Sequence, residues 1–176
     1  MRKTKNIAKM GILAALSVVL VFLVHFPIIP AASFLEYDPA DIPILLGTFA
    51  MGPVSGLILT AVASLIQGLT VSSASGWYGI VMHIIATGSY VLVSGLLYKA
   101  KKTKKMALIS LASGTIAMAL VMVPANLFIT PIYMGVSRSV VAELLPAILL
   151  FNLVKAGINS AVTFLLYKKL SPVLHR

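Results

Sequence analysis

The sequence predicts an all-α integral membrane protein, with six transmembrane helices in a single domain spanning residues 1–176. Two observations support this class. Of the 176 residues, 60% are hydrophobic and the mean hydropathy is +1.04, which is well above the range of soluble domains. The apolar residues also form long runs separated by short basic or polar segments, as in a chain that crosses a bilayer several times.

The first predicted span covers residues 8–26 and follows a basic N-terminal segment. No small-x-small cleavage site follows it, so we interpret it as a retained helix rather than a signal peptide. Gly11 and Ala15 stand four residues apart and leave one face of this helix open to close approach by another helix. Docking of a partner and internal packing would both use such a face.

Residues 42–51 are too few to cross a core of about 30 Å, whereas residues 42–71 together are too many for one helix. We predict a hairpin that turns at Met51, Gly52 and Pro53, because this places the next basic cluster on the same side as the N-terminus. A small polar turn at residues 72–76 leads to Trp77 and Tyr78, where interfacial anchors are typical. The fourth span then continues to residue 98.

The fifth span is predicted at residues 106–130 with a kink at Pro124, and a connector at residues 131–139 joins it to the sixth, at about residues 143–167. Four basic residues precede the first span, five lie between the fourth and fifth, and three follow the sixth, which makes 12 of the 14 in the chain. By the positive-inside rule, this face and both termini are cytoplasmic. The remaining connectors are then on the outer face.

Residues 26–43 form the most unusual outer connector. Acids and prolines are rare elsewhere in this apolar chain, yet this segment holds three of its four acidic residues. It is either a plain connector or a shaped lid, and we predict a lid. Its acids are Glu36, Asp38 and Asp41, and its prolines are Pro27, Pro30, Pro39 and Pro43.

Lys155 lies in the middle of the sixth span, where insertion of a lysine costs about 2.5–3.5 kcal/mol, so it should face a polar partner or a cavity. Asn152, Lys155 and Asn159 share one helical face by their spacing. Asn126, near the outer end of the fifth span, lies at a similar depth. These donors and acceptors suit an uncharged or weakly acidic polar heterocycle. A hydrogen-bond network between helices is the alternative interpretation.

Several kinds of chemistry have no support in the sequence. The chain has no cysteine, and it lacks a phosphate-binding glycine loop, a GxSxG nucleophile setting and a metal-ligand spacing of histidines and acids. We interpret the lone His83 as a helix-packing side chain. The sequence therefore predicts a binding subunit that is not an enzyme and has no cofactor, metal or nucleic-acid partner. A small membrane enzyme or structural subunit acting through His83, Arg138 and Glu143 is the competing hypothesis.

Three motifs carry a family resemblance. FPIIP followed by FLEYDPADIPILL, then FAMGPVSGLI, and later FNLVKAGIN resemble the riboflavin-specific S-component of the energy-coupling-factor (ECF) vitamin transporters of bacteria. The resemblance extends over nearly the whole chain and keeps the order of the motifs.

This resemblance implies a multi-pass protein of the bacterial plasma membrane that binds riboflavin at the outer face, beneath the loop between the first two helices. Riboflavin is then a transported substrate, and the partners are a transmembrane T-component, docked at Gly11 and Ala15, and two cytoplasmic ATPases. A folate or pantothenate S-component is the alternative, since one fold serves many ligands. The implied ligand contacts are Asn126, Asn152 and Lys155, and the implied capping residues are Phe34, Leu35, Glu36, Tyr37 and Asp38.

Overall fold

The structure is a computed structural model that describes residues 2–29, 32 and 34–174, with side chains described for 4–29, 32 and 34–169. Within these ranges the chain forms six α-helices and one pair of short strands. In chain order they are α1 (Arg2–Leu23), β1 (Phe26–Pro27), β2 (Glu36–Tyr37), α2 (Asp41–Met51), α3 (Pro53–Leu69), α4 (Gly76–Ala100), α5 (Lys104–Met134) and α6 (Arg138–Leu174).

The predicted all-α class and the number of helices are confirmed in this described part. Four helices, α1, α4, α5 and α6, are long and apolar enough to cross a membrane. The other two are shorter, since α2 has 11 residues and α3 has 17. At 1.5 Å per residue, α2 is only about 16 Å long, about half of a hydrocarbon core. Of the six described helices, four are therefore long enough to cross the full membrane.

The shortest helix, α2, lies at the centre of the bundle. It packs against α1, α3, α4 and α6. Nearly every side chain along it is buried, from Asp41 to Phe49. A helix that is apolar on all sides is stable only when other helices surround it. Its N-terminus, which carries Asp41, is consequently held inside the protein.

The turn between α2 and α3 is at the predicted place. Gly52 has a φ of +95°, a conformation that L side chains rarely adopt, and Pro53 occupies the first position of α3. Proline fits there because its missing N–H would have no partner in the first turn. The hairpin prediction is therefore confirmed.

The predicted boundary between the fifth and sixth helices is wrong. α5 continues through Pro124 and Pro131 to Met134, and α6 begins at Arg138, so the connector is only residues 135–137. The helix ends instead at Gly135, which has a φ of +66° and donates its N–H to the Pro131 carbonyl. A left-handed glycine is a strong helix terminator, whereas neighbouring helices in a membrane bundle tolerate an internal proline.

An aromatic cluster joins the start of α4 to the end of α5. The rings of Tyr78 and Tyr133 stack with centroids 4.1 Å apart, and Trp77 meets Tyr133 edge-on at 6.3 Å. The Tyr78 hydroxyl also hydrogen-bonds the Thr130 hydroxyl at 2.9 Å. Trp77 remains 53% exposed. This cluster lies at the same end of the bundle as the segment between α1 and α2.

Candidate ligand-binding site

The segment between α1 and α2 is folded over the bundle and fixed to it. β1 and β2 pair antiparallel, with Phe26 opposite Tyr37, and the imidazole Nε2 of His25 lies 2.8 Å from Glu36 Oε2. Leu35 joins a small buried cluster with Ile148 of α6. We name the described residues of this segment the cap, namely 26–29, 32 and 34–40. This packed arrangement favours the lid over a plain connector.

A cavity of about 110 Å³ lies between the cap and helices α3 to α6. Its wall includes polar atoms from α3, α4, α5 and α6 and an apolar side rich in methionine, with Met82, Met118 and Met122. The structure brings seven of the eight predicted ligand-binding residues to this cavity. They are Phe34, Leu35, Glu36, Asp38, Asn126, Asn152 and Lys155.

Lys155 has a polar partner, as its position within an apolar helix predicted. Its Nζ donates to Asp38 Oδ2 at 2.7 Å, and the two residues are only 6% and 4% exposed. Burial alone would raise the pKa of Asp38, but the ammonium and the Ala40 N–H, which donates to Oδ1, hold that pKa below its usual range. Asp38 is therefore charged at neutral pH and joins the cap to α6.

Tyr37 is the predicted site residue that the cavity does not include. Its hydroxyl donates to Asn159 Oδ1 at 3.1 Å, and burial raises its pKa, so it remains a neutral donor. The Asn159 amide donates to the Asp38 carbonyl at 3.2 Å and to Asp41 Oδ2 at 2.9 Å. Asn159 thus connects α6 to both the cap and α2. Tyr37 stabilises this connection through Asn159 without lining the cavity.

The two asparagines at the cavity bond within their own helices. Asn126 donates to the Met122 carbonyl at 2.8 Å and accepts from the Thr130 hydroxyl at 2.9 Å, whereas Asn152 donates to the Ile148 carbonyl at 2.8 Å. In the described residues neither amide bonds directly to another helix, whereas Asn159 of the same helical face bonds Asp41 of α2, so the network proposed as the alternative is present at Asn159. These bonds orient each amide along the cavity wall.

Two further polar residues of the cavity were missed from the sequence. His83 Nδ1 lies 2.6 Å from Ser64 Oγ, and its Nε2 is buried without a hydrogen bond, 3.7 Å from Asp41 Oδ1. Gln67 Oε1 is also buried without a partner. The interpretation of His83 as a packing residue is therefore incomplete. The available signal was Ser64 and Gln67, which are three residues apart in an otherwise apolar helix.

Two buried polar atoms on the α3 and α4 side of the cavity have no hydrogen-bond partner among the described residues. Gln67 Oε1 is an acceptor. His83 Nε2 is a donor or an acceptor according to the tautomer of the ring, because Nδ1 and the Thr60 carbonyl share the single hydroxyl of Ser64. A buried polar atom without a partner costs about 1–3 kcal/mol. This side of the cavity therefore presents two polar atoms that are available to a ligand.

Comparison with known proteins identifies the family of this chain. The model of the ECF transporter substrate-specific component family matches residues 5–167. The chain belongs to this family. The S-component is therefore a transporter subunit and a multi-pass protein of the bacterial plasma membrane, which confirms the family and the location that the motifs predicted.

Relatives of the S-component cover its full length. It is 31% identical to the riboflavin transporter RibU of Staphylococcus aureus (strain TCH60), over 100% of this chain and 95% of that protein. It is 28% identical to the riboflavin transporter FmnP of Bacillus subtilis (strain 168), over 97% and 94%. A solved structure of the S component of a bacterial ECF transporter superposes with a TM-score of 0.84 at 32% identity, over 99% of both chains.

The predicted docking residues lie on an outward face of α1. Gly11 and Ala15 are both exposed, and a Cβ added at Gly11 would have no neighbour within 4 Å. Ala14 and Ser17 face the interior instead, at 5% and 0% exposure. The face that carries Gly11 and Ala15 is therefore not used for packing within the described part of this subunit.

Proposed function

We propose that the S-component binds riboflavin in the cavity beneath the cap and serves riboflavin uptake as a subunit of an ECF-type ABC transporter. The observation that carries this proposal is the composition of the cavity, which combines one buried ammonium, two oriented amides and two unpartnered polar atoms with apolar side chains. The names of the full-length relatives support the choice of riboflavin over folate or pantothenate.

The chemical groups of riboflavin are complementary to the side chains that line the cavity. Its uracil-like ring edge carries carbonyls that accept from Lys155 and Asn152, and its dimethylbenzene end requires an apolar surface. Methionine side chains line that surface, and their thioethers make favourable contacts with aromatic rings. The ribityl hydroxyls both donate and accept, so they suit Gln67 Oε1 and His83 Nε2, and Asn126 adds an amide from α5.

Entry of the vitamin requires movement of the cap. The cavity of about 110 Å³ is smaller than the roughly 300 Å³ at which sites for ligands of this size begin. The Lys155 ammonium is also occupied by Asp38. Ligand binding therefore displaces the cap outward and replaces the carboxylate at Lys155 with a carbonyl of the flavin. The cap then closes over the bound vitamin.

The remaining assignments concern orientation and energy supply. The distribution of basic residues supports a cytoplasmic location for both termini and an outer location for the cap. The chain has no nucleotide-binding motif, so a T-component and two cytoplasmic ATPases supply the energy, with the T-component docked on Gly11 and Ala15 of α1. The S-component itself is a binding subunit rather than an enzyme, and riboflavin is its substrate rather than a cofactor.

The test is the absorption spectrum of detergent-purified protein grown with riboflavin, followed by fluorescence titration of the stripped form. We expect flavin bands and quenching that saturates near one flavin per chain, without competition by folate or pantothenate. The variants Lys155→Ala and Asn152→Ala should raise the Kd about tenfold or more, because each removes a buried hydrogen bond.

The exposed Lys168, on the same helix, provides the control, and Lys168→Ala should bind like the parent protein. A colourless protein that leaves flavin fluorescence unchanged would refute the proposed ligand. Unchanged affinity in both the Lys155 and Asn152 variants would refute the proposed ring contacts. His83→Phe and Gln67→Leu should also weaken binding, since each removes an unpartnered polar atom of the cavity while keeping the side chain large.

A further inference from the structure

A second concave feature lies away from the cap, on the outside of the bundle. It is a groove of about 600 Å³ between the first half of α5 and the last half of α6. Leu108 and Ile116 mark its ends on α5, which gives a length of about 12 Å along the helix. Its α6 side is formed by Gly157, Ala161 and Leu165.

Small residues create the depth of this groove. Gly157 and Ala161 are four residues apart and therefore share one face of α6, and Ala112 faces them from α5. A Cβ added at Gly157 would meet no atom within 4 Å. The groove is thus open space on the surface of two membrane-crossing helices.

The hydroxyl groups in the groove already have partners. Thr115 and Ser160 hydrogen-bond each other at 2.9 Å, and Ser160 also bonds the Tyr90 hydroxyl and lies 3.4 Å from the Leu111 carbonyl. The Tyr90 hydroxyl lies 3.3 Å from the Ala156 carbonyl as well. Because these polar atoms are satisfied, the groove selects a hydrocarbon occupant rather than a polar one.

The end of the groove near Leu108 and Leu165 is surrounded by positive charge. Lys104 is four residues before Leu108, and Lys169 is four residues after Leu165, so each lysine shares a face with the groove residue next to it. Lys105 and Lys168 are their immediate neighbours. All four lysines are exposed, and none pairs with a carboxylate among the described residues.

Acidic groups are absent from this end of the two helices. The acid nearest in sequence on α6 is Glu143, 14 residues before Gly157 and hence about 21 Å away along the helix. The other three acids belong to the cap segment and α2. Among the described residues, no acidic side chain therefore neutralises the positive charge beside the groove.

We propose that this groove is a binding site for an anionic phospholipid. One acyl chain lies along the groove, and the headgroup phosphate is held by Lys104, Lys105, Lys168 and Lys169. Basic pockets between helices at the cytoplasmic surface recognise anionic headgroups, and the hydrocarbon chain supplies the apolar contact. This site is separate from the riboflavin cavity and does not depend on the proposed ligand there.

Native mass spectrometry of the full chain, titrated with phosphatidylglycerol or phosphatidylcholine of equal chain length, tests this proposal. We expect one phosphatidylglycerol bound about tenfold more tightly than phosphatidylcholine. The double variant with Lys104→Gln and Lys169→Gln should lose that preference. A control with Lys5→Gln and Lys9→Gln removes the same charge from α1, which packs on α2 and α3, and should retain it.

Ala161→Leu tests the groove itself, and Ala142→Leu is its matched control, because Ala142 is likewise exposed on α6 but lies outside the groove. Filling the groove should lower the affinity for both lipids about tenfold or more, whereas the control should leave both affinities unchanged. If the α1 variant and the groove variant lose the preference for phosphatidylglycerol equally, general surface charge explains the preference and the proposed site is refuted. Dimers that disappear in Ala161→Leu would assign the groove to a second copy of the chain, which also overturns the proposal.

Discussion

Asp38→Asn isolates the ion pair that holds the cap closed. The substitution keeps the shape of the side chain but removes the charge that lies 2.7 Å from the Lys155 ammonium. Because the two residues are 4% and 6% exposed, Lys155 would remain as a buried charge without its partner. Removing one member of a buried pair typically costs about 3–5 kcal/mol. We expect a loss near 3 kcal/mol, since the asparagine oxygen still accepts a hydrogen bond and Asp41 lies nearby.

The measurement is a double-mutant cycle on ligand-free protein in mixed micelles, unfolded by denaturing detergent and followed by circular dichroism. It compares Asp38→Asn, Lys155→Met and the double variant. A coupling free energy of about 2 kcal/mol or more is expected, well above the few tenths of a kcal/mol found for independent sites. Riboflavin titration of Asp38→Asn should also show faster association, because the cap opens more readily.

The second ion pair of the cap provides a matched control. His25 and Glu36 lie 2.8 Å apart, but their side chains are 23% and 34% exposed. Solvent screens such a pair, so Glu36→Gln should cost less than about 1 kcal/mol. If the Asp38 and Lys155 coupling is no larger than this, the pair does not hold the cap, and the reasoning from burial is refuted.

Three further predictions concern packing, pH and docking. Gly95→Ala should destabilise the protein by about 1–3 kcal/mol, because its Cβ would lie 2.7 Å from Thr48 Cγ2, whereas Gly157→Ala, with no atom within 4 Å, should be neutral or stabilising by up to about 1 kcal/mol. The reverse order in detergent unfolding would contradict the observed packing. The lowered pKa of Asp38 means that its stabilisation is complete above its unfolded pKa of about 3.9 and is lost as the pH falls through the lower folded value. Unfolding free energies of the parent should therefore fall towards those of Asp38→Asn only below about pH 4, and convergence at pH 6 would be inconsistent with this sign. Gly11→Leu and Ala15→Leu should keep riboflavin binding and abolish uptake in cells, and normal uptake in both would exclude this face as the docking surface.

Much of the fold followed from local sequence signals. The glycine and proline at the α2–α3 turn are residues with restricted backbone chemistry, so their position in the sequence marks the turn directly. Pro131 misled the prediction for the opposite reason. Its effect depends on whether neighbouring helices accommodate it, and α5 continues past it to Met134.

The candidate site was predictable only as faces of helices. The spacing of Asn152 and Lys155 identified one wall, but the partner of Lys155 is 117 residues away in the sequence. No local pattern relates two such positions, because the tertiary packing of the cap on α6 brings them together. Gln67 was missed although Ser64, three residues before it, marks the same face of α3. His83 was missed because a lone histidine in an apolar helix does not reveal which way it faces.

The aromatic cluster beside the cavity has an optical consequence. Trp77 is the sole tryptophan of the chain, and its ring lies 6.4 Å from that of Tyr78, which forms part of the cavity wall. Tryptophan emission overlaps flavin absorption, so a flavin bound in this cavity would accept the excitation energy by resonance transfer. The native protein therefore carries a built-in donor whose emission reports occupancy of the cavity in real time, in a membrane and without a label.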